Sequence, residues 1–321
     1  MRVPAEARHE FEQGTVQRTA ASGVLALLEA MRPHQWAKNA FVLAPLIFSR
    51  NLLEFSLVAL AVQAFFLFSF TASAVYLAND VLDREVDRLH PVKKNRPIAS
   101  GRLSPRVAWA SAIVLCLGSL AAGLRLGIPF VGVLLAYLVL NSLYSLRLKR
   151  IAWVDVTVIA LGFVLRVVAG ALAIGVALSH WIFVCTFAVA LYLALGKRKH
   201  EILAAQHAGS DKTRARKALG GYALRHLDLG LRTAGAFAVL GYLLYTLSPD
   251  TVEKFGTWLL ALTVPFPALG IWRFGHLLSR GSRASSPTEA ILTDAPFLTN
   301  LGIWLVSVVL ILYAAGTHPT G

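Results

Sequence analysis

The sequence predicts an all-α, polytopic membrane protein with about nine transmembrane helices. Hydrophobic residues make up 56% of the chain and the mean hydropathy is +0.62, which is typical of proteins embedded in a bilayer. Charged residues account for only 15%, yet the net charge is +14, so the cations must cluster outside the apolar stretches. This composition excludes a water-soluble globular domain.

Nine stretches approach the roughly 20 apolar residues that cross the hydrocarbon core of a bilayer. A shorter segment, 24–31, is expected to be an amphipathic helix at the membrane interface. The predicted spans are 37–53, 55–78, 107–124, 128–146, 154–176, 180–195, 231–247, 257–272 and 297–315.

Arginine and lysine mark one set of connections between these spans, and the opposite set offers only Arg50, Arg125 and Lys254. By the positive-inside rule the charged set is cytoplasmic, the amino terminus lies inside and the carboxyl terminus outside. We expect a multi-pass protein of the cell (inner) membrane, with a flexible cytoplasmic arm over 1–23 and one transmembrane domain over 24–321.

The second predicted span ends in a cluster of acidic residues. Asp80 and Asp83 are three residues apart, Asp83 and Asp87 are four apart, and Asn79 precedes Asp83 by four. On a continuous helix these side chains share one face. Carboxylates beside hydrocarbon are costly unless a cation holds them, and Mg²⁺ prefers such oxygen ligands together with substrate phosphates.

A basic loop follows the acidic cluster. It contains Lys93, Lys94 and Arg96, and its Pro97 and Gly101 indicate an irregular backbone. One interpretation is a juxtamembrane loop attracted to anionic lipid. A magnesium-bound diphosphate explains both signs of charge at once, because carboxylates hold the metal and the loop cations neutralise the remaining phosphate oxygens.

The pattern Asn-Asp-x-x-Asp-x-x-x-Asp at 79–87, followed by Arg-Pro-Ile-Ala-x-Gly at 96–101, resembles the UbiA superfamily of intramembrane prenyltransferases. The resemblance covers roughly 28–315. It implies a UbiA-type helical bundle with cytoplasmic active-site loops, in which Mg²⁺ binds an isoprenoid diphosphate and an acceptor is alkylated.

The second half departs from the usual pattern of that superfamily, whose members carry a second Asp-x-x-x-Asp motif after a Tyr-x-x-x-Lys-like element. Tyr144 and Lys149 resemble the latter element. Asp155 follows, but its partner position four residues on is Ile159, so only one carboxylate is present.

Cations follow further along the chain from the missing carboxylate. Arg166 lies within a predicted span, and Gly-Lys-Arg-Lys at 196–199 closes the next one. Together with the segments 32–39 and 216–222, this resembles the polyprenyl-phosphate (decaprenyl-phosphate) phosphoribosyltransferase branch. A phosphoribosyltransferase must bind a donor diphosphate, a 5-phosphate and a lipid phosphate, whereas a prenyltransferase binds one diphosphate and a neutral ring. The first reaction therefore requires more cations, which agrees with the loss of a carboxylate at 159 and the presence of Arg166, Lys197 and Arg198.

The resemblance implies transfer of 5-phosphoribose from phosphoribosyl diphosphate (PRPP) to a polyprenyl phosphate, with Mg²⁺ as cofactor and pyrophosphate as the leaving group. Such a lipid could serve cell wall biosynthesis, and nucleic acid is not an expected partner. The implied metal ligands are Asn79, Asp80, Asp83 and Asp87. The implied catalytic residues are Asp80, Asp83, Asp87 and Arg166, and the implied substrate-binding residues are Lys38, Lys93, Lys94, Arg96, Tyr144, Lys149, Asp155, Lys197 and Arg198.

Structural explanations stand beside several of these roles. Lys38 is also placed to extend its amine to the membrane interface, and Tyr144 to belong to an interfacial aromatic belt. Arg166 and Asp155 lie three turns apart on one helix and offer a structural ion pair. The presence of Lys197 and Arg198 at the cytoplasmic end of a predicted span is partly explained by the positive-inside rule alone.

Two other functions remain open at the level of sequence. One is an aromatic prenyltransferase that joins a prenyl diphosphate to a quinone or haem precursor. The other is a lipid-phosphate transporter or membrane scaffold without enzymatic activity.

Overall fold

The computed structural model describes residues 23–207, 221–279 and 293–314, and the regular structure in these ranges is helical, which confirms the all-α class. Short 3-10 helices link several of the α-helices. The principal helices are α1 (23–31), α2 (Ala44–Phe48), α3 (Phe55–Leu82), α4 (Arg84–Arg88), α5 (Pro105–Gly123), α6 (Ile128–Leu146), α7 (Val154–Ile174), α8 (His180–His207), α9 (Leu224–Leu247), α10 (Pro249–Phe255), α11 (Pro265–Ser279) and α12 (Ala295–Ala314).

Among the described residues, seven helices are long and apolar enough to cross a membrane. The pair Pro249–Phe255 and Leu259–Ser279 adds an eighth if it crosses as one span, although it is bent by 104°. The predicted count of nine is therefore not confirmed. The predicted span 257–272 is divided between the 3-10 helix Leu259–Thr263 and α11, where Pro265 opens a new helix.

The predicted continuous span over 37–53 is wrong. A 3-10 helix covers Pro33–Leu43, and Pro45 stands at the start of the short helix α2. Arg50 then turns the chain with a positive φ of 62° before α3 begins. Proline has no N–H to donate to a preceding turn, so an apolar composition alone did not ensure one long helix here.

Contacts divide the chain into two compact units. Of the described residues, the first unit takes 23–40 and 62–138, and the second takes 41–61 and everything from 139 onward. The prediction of one transmembrane domain over 24–321 stays a prediction. The predicted flexible arm falls on 1–22, outside the described residues, except for Gly23.

The first unit packs the small face of α1 against α3 and the loop that follows the acidic motif. Ala26 and Ala30 of α1 are buried, whereas Val24 and Leu25 are exposed by 58% and 66%. The segment 24–31 is thus helical with two different faces, as predicted, and its place at the membrane interface stays a prediction. Its buried partners include Ala74, Leu77, Ile98 and Leu103.

The second unit is built on α8, which packs against both α7 and α9. Its core is completed by residues of α9 and α11, and two glycines permit the closest approaches. A Cβ on Gly170 would lie 1.9 Å from the carbonyl oxygen of Val42, and one on Gly196 would lie 2.5 Å from the ring of Phe274. Buried core residues include Val156, Leu195, Leu227, Leu231 and Phe274.

Gly170→Ala should destabilise the protein, because the added methyl group meets a backbone oxygen that cannot rotate away. Overpacking of this kind costs about 1–3 kcal/mol or more, so we expect thermal unfolding in detergent several degrees below wild type. Gly132→Ala is the matched control, since a Cβ there has no heavy atom within 4 Å. Equal melting temperatures for the two variants would contradict the close approach.

Candidate active site

The acidic motif lies where α3 gives way to α4. Helix α3 ends at Leu82, Asp83 stands in a turn, and α4 begins at Arg84. The predicted continuous helix is therefore interrupted, but the helical hydrogen-bond spacing is kept across the break. The N–H of Asp83 donates to the carbonyl of Asn79 at 2.8 Å, and that of Asp87 to the carbonyl of Asp83 at 2.8 Å.

Two carboxylates of this motif are buried and held by arginines. Asp80 and Asp87 are only 4% and 2% exposed. Nη1 of Arg96 lies 3.0 Å from Oδ1 of Asp80 and 2.6 Å from Oδ2 of Asp87. Nη2 of Arg32 lies 2.6 Å from Oδ1 of Asp80, and Nζ of Lys93 lies 3.9 Å from Oδ1 of Asp87. We call Arg32, Asp80, Asp87 and Arg96 the acid–arginine cluster.

The cluster contains carboxylates of the type that bind a divalent metal ion together with substrate. Within the described ranges no group of three or more His, Cys, Asp or Glu side chains is arranged to hold a metal on its own. Magnesium in phosphate-transfer sites usually takes one or two carboxylates and fills its shell with phosphate oxygens and water. Asp80 and Asp87 converge on one cation, and the half-buried Asp83 lies between them in the chain.

Arg32 is a member of this cluster that was not predicted. Its backbone has a positive φ of 56°, which is unfavourable for a residue with a side chain, and its guanidinium lies 5.1 Å from the ring centroid of Tyr76. The hydroxyl of Ser73 donates to the carbonyl of Met31 at 2.9 Å and helps to hold the preceding turn. The one available signal was that Arg32 opens the segment 32–39.

The remaining predicted cations of the first unit differ in exposure. Lys38 is half-buried on the 3-10 helix Pro33–Leu43. Lys93 and Lys94 are exposed in the basic loop, where they form the 3-10 helix Lys93–Asn95. Arg96, by contrast, points into the acidic cluster.

The second unit contains a guanidinium with three oxygen partners. Nε of Arg198 lies 2.6 Å from Oδ2 of Asp155, and both side chains have no exposed surface. Nη1 donates to Oε2 of Glu201, and Nη2 donates to the hydroxyl of Tyr144 at 3.2 Å. We call Tyr144, Asp155, Arg198 and Glu201 the Arg198 hub. Glu201 was not predicted, although its i,i+3 spacing from Arg198 favours an ion pair.

Tyr222 joins the hub to a strained backbone. Its hydroxyl donates to Oδ1 of Asp155 and accepts the N–H of Trp153 at 2.8 Å. Trp153 has a positive φ of 69°, and its ring lies 5.3 Å from that of Tyr222. Burial, and then the hydrogen bond to Asp155, raise the pKa of Tyr222 far above its ordinary value, so this hydroxyl stays protonated. Tyr222 closes the segment 216–222 but was not predicted as a site residue.

The intramembrane arginine, Arg166, is 6% exposed on α7. Nη1 donates to the carbonyl of Gly162 at 2.7 Å, and the guanidinium lies 5.1 Å from the ring centroid of Phe163. Asp155 is held by Arg198 and Tyr222, which makes it part of the hub.

Two predicted lysines flank the hub in sequence. Lys149 is half-buried on the 3-10 helix Leu148–Arg150, and Lys197 is half-buried on α8. The structure thus brings Asp80, Asp87, Arg96 and Lys93 together in the first unit and Tyr144, Asp155 and Arg198 together in the second.

This chain is similar to known proteins both in sequence and in fold. It is 32% identical over 302 residues to the decaprenyl-phosphate phosphoribosyltransferase of Mycobacterium tuberculosis, covering 93% of this chain and 98% of that protein. It is 32% identical over 296 residues to the protein of the same name from Corynebacterium glutamicum, covering 89% and 86%.

The solved structure of a UbiA homologue from Archaeoglobus fulgidus, bound to GPP and Mg²⁺, superposes with a TM-score of 0.64. The superposition covers 90% of this chain and 99% of that one at 20% identity, so this likeness concerns the fold. The model of the UbiA prenyltransferase family matches residues 40–300. This chain therefore belongs to the UbiA prenyltransferase family.

Proposed function

We propose that this protein transfers 5-phosphoribose from PRPP to a polyprenyl phosphate, with Mg²⁺ and with release of pyrophosphate. The observation that carries the proposal is the 32% identity, over nearly the whole length, to proteins named decaprenyl-phosphate phosphoribosyltransferase. The abundance of cations beside few carboxylates supports a reaction with several phosphate groups.

The acid–arginine cluster is the proposed site of the donor diphosphate. Asp80, Asp83 and Asp87, with Asn79, would hold the Mg²⁺, which screens the diphosphate charge and favours its departure. Arg96 and the exposed lysines of the basic loop would then contact the phosphate oxygens by charge-assisted hydrogen bonds.

The proposed chemistry is substitution at C1 of the ribose. The C1–O bond to the diphosphate breaks, its electron pair leaves with pyrophosphate, and the ring passes through an oxocarbenium-like state. An oxygen of the lipid phosphate attacks C1 from the opposite face and forms the new bond. Because that phosphate is already anionic at neutral pH, the reaction needs no strong general base.

In the second unit, Arg166, Lys197 and Tyr144 are the proposed contacts for either the 5-phosphate or the lipid phosphate, with Lys149 and Lys38 as further candidates. Asp155 and Arg198 were predicted to touch substrate. Both have no exposed surface and already contact each other, so we assign neither a direct phosphate contact.

The charge distribution supports a place in the cell (inner) membrane with the amino terminus on the cytoplasmic side. Arginine and lysine are concentrated in the connections that include the loop 84–106, whereas few lie in the opposite ones. We therefore place the donor site at the cytoplasmic surface, where a water-soluble sugar diphosphate is available.

A paired assay tests the reaction directly. Purified protein with Mg²⁺ receives either PRPP with a polyprenyl phosphate, or a prenyl diphosphate with 4-hydroxybenzoate, and products are identified by mass spectrometry. We expect a phosphoribosylated lipid in the first mixture only, lost when EDTA removes the metal. A prenylated ring in the second mixture would identify an aromatic prenyltransferase, and no product in either would favour a transporter or scaffold.

Asp83→Asn should lower kcat by about two orders of magnitude, as loss of one charged group that stabilises a transition state typically does. Asp83 is half-buried and its side chain takes no part in the ion pairs of the described residues, so melting should be unchanged. The matched control is Glu85→Gln, an exposed carboxylate in the same motif that pairs with Arg84 and Arg88. Wild-type turnover in Asp83→Asn would remove it from the metal site.

A further inference from the structure

We infer that Arg198 and Tyr222 are positioning residues, which fix the phenol of Tyr144 for contact with a substrate phosphate and do not touch substrate themselves. This inference rests on the proposed function, in which Tyr144 meets a phosphate. In this role the Arg198 hub holds Tyr144 in place. The sequence had instead predicted direct phosphate binding by Arg198.

Arg198 is buried, and neighbouring carboxylates neutralise its charge. Its guanidinium has no exposed surface, and two carboxylates, Asp155 and Glu201, lie against it. A cation that is enclosed and outnumbered by anions has no surface on which a phosphate could dock, and it adds no net positive field.

The contacts of the Arg198 guanidinium also favour a positioning role. The three nitrogens of the guanidinium meet oxygens from Asp155 on α7, Glu201 on α8 and Tyr144 on α6. Glu201 accepts a hydrogen bond from Nη1, whereas Nε and Oδ2 of Asp155 are in ion-pair contact without the geometry of a hydrogen bond. A guanidinium is planar, so these two contacts limit where Nη2 points. The position of the Tyr144 hydroxyl is thereby set by two other helices.

Arg198 determines the role of the Tyr144 hydroxyl in the hydrogen bond between them. A guanidinium donates hydrogen bonds and accepts none, so the phenol oxygen of Tyr144 is the acceptor in its bond with Arg198. Arg198 thereby orients the phenol oxygen of Tyr144, and in the proposed reaction this phenol contacts a substrate phosphate.

Tyr222 holds the carboxylate of Asp155, which in turn contacts Arg198. The hydroxyl of Tyr222 donates to Asp155 and accepts from the amide of Trp153, so it fixes this carboxylate relative to the start of α7. The positive φ of Trp153 is unfavourable for an L-residue and persists only where surrounding contacts hold it. A strained backbone beside a buried ion pair indicates that the location of Asp155 is held with some precision.

The test compares Tyr222→Phe with Tyr242→Phe. Both tyrosines are 7% exposed in the second unit, and each hydroxyl makes two hydrogen bonds, those of Tyr242 being with Thr263 at 2.8 Å and Trp304 at 3.2 Å. The two variants thus lose similar packing and bonding, but only one of them touches the hub.

For Tyr222→Phe we expect kcat to fall by about 10- to 100-fold, the usual effect of a misplaced contact group, with the KM for PRPP little changed. Hydrogen exchange in the peptide 151–157 should become faster, since the amide of Trp153 loses its partner. Tyr242→Phe should keep the wild-type kcat and the wild-type exchange in that peptide.

A second pair of variants separates positioning from direct phosphate binding at Arg198. Arg198→Lys keeps the charge but lacks the planar fork, so positioning predicts a loss of kcat like that of Tyr222→Phe. Direct binding instead predicts that Arg198→Lys stays largely active and that Arg198→Gln raises the KM.

The outcomes distinguish this inference from the proposed function. If wild type is active and Tyr222→Phe is as active as Tyr242→Phe, or if Arg198→Lys is largely active, the positioning role is overturned. Unchanged exchange at 151–157 in Tyr222→Phe overturns it too, and that measurement needs no substrate. A wild-type protein that forms no phosphoribosylated lipid overturns the proposed function itself.

Discussion

A carboxylate buried in an apolar interior must have a cation beside it, because the cost of desolvating an unpaired charge exceeds what packing can return. The described residues bury the carboxylates of Asp80, Asp87 and Asp155, and each lies against an arginine. This constraint determines which side chains converge in each unit. It also explains why arginine serves here, since one planar guanidinium can satisfy several oxygens at once.

The two polar groups solve this constraint in different ways. Arg32 and Arg96 remain 24% and 29% exposed, so a ligand can reach the guanidiniums that hold these carboxylates. Arg198 is fully enclosed, and its partners come from three helices. Arginine is thus suited to ligand contact in the acid–arginine cluster and to fixed structural support in the Arg198 hub.

Apolar length was enough to predict most of the helices, because a bilayer leaves the backbone few alternatives to a helix. It failed at 37–53, where Pro45 opens a separate short helix within an apolar stretch, and it could not show that Asp83 interrupts the helix carrying the acidic motif. Spacing along the chain identified Asp80 and Asp87 as neighbours. Partners from distant segments, such as Arg32 for Asp80 and Tyr222 for Asp155, depend on tertiary packing that no local pattern contains.

The bridge from Arg96 to both Asp80 and Asp87 also constrains how this protein can change over generations. Replacing one carboxylate leaves the two arginines of the cluster facing a single buried anion, and replacing Arg96 leaves two buried anions with Arg32 as the guanidinium beside them. Each single step is therefore less favourable than the simultaneous exchange of both partners. Lineages that depart from this arrangement should carry paired substitutions at these positions, so the acid and the arginine are inherited as a unit.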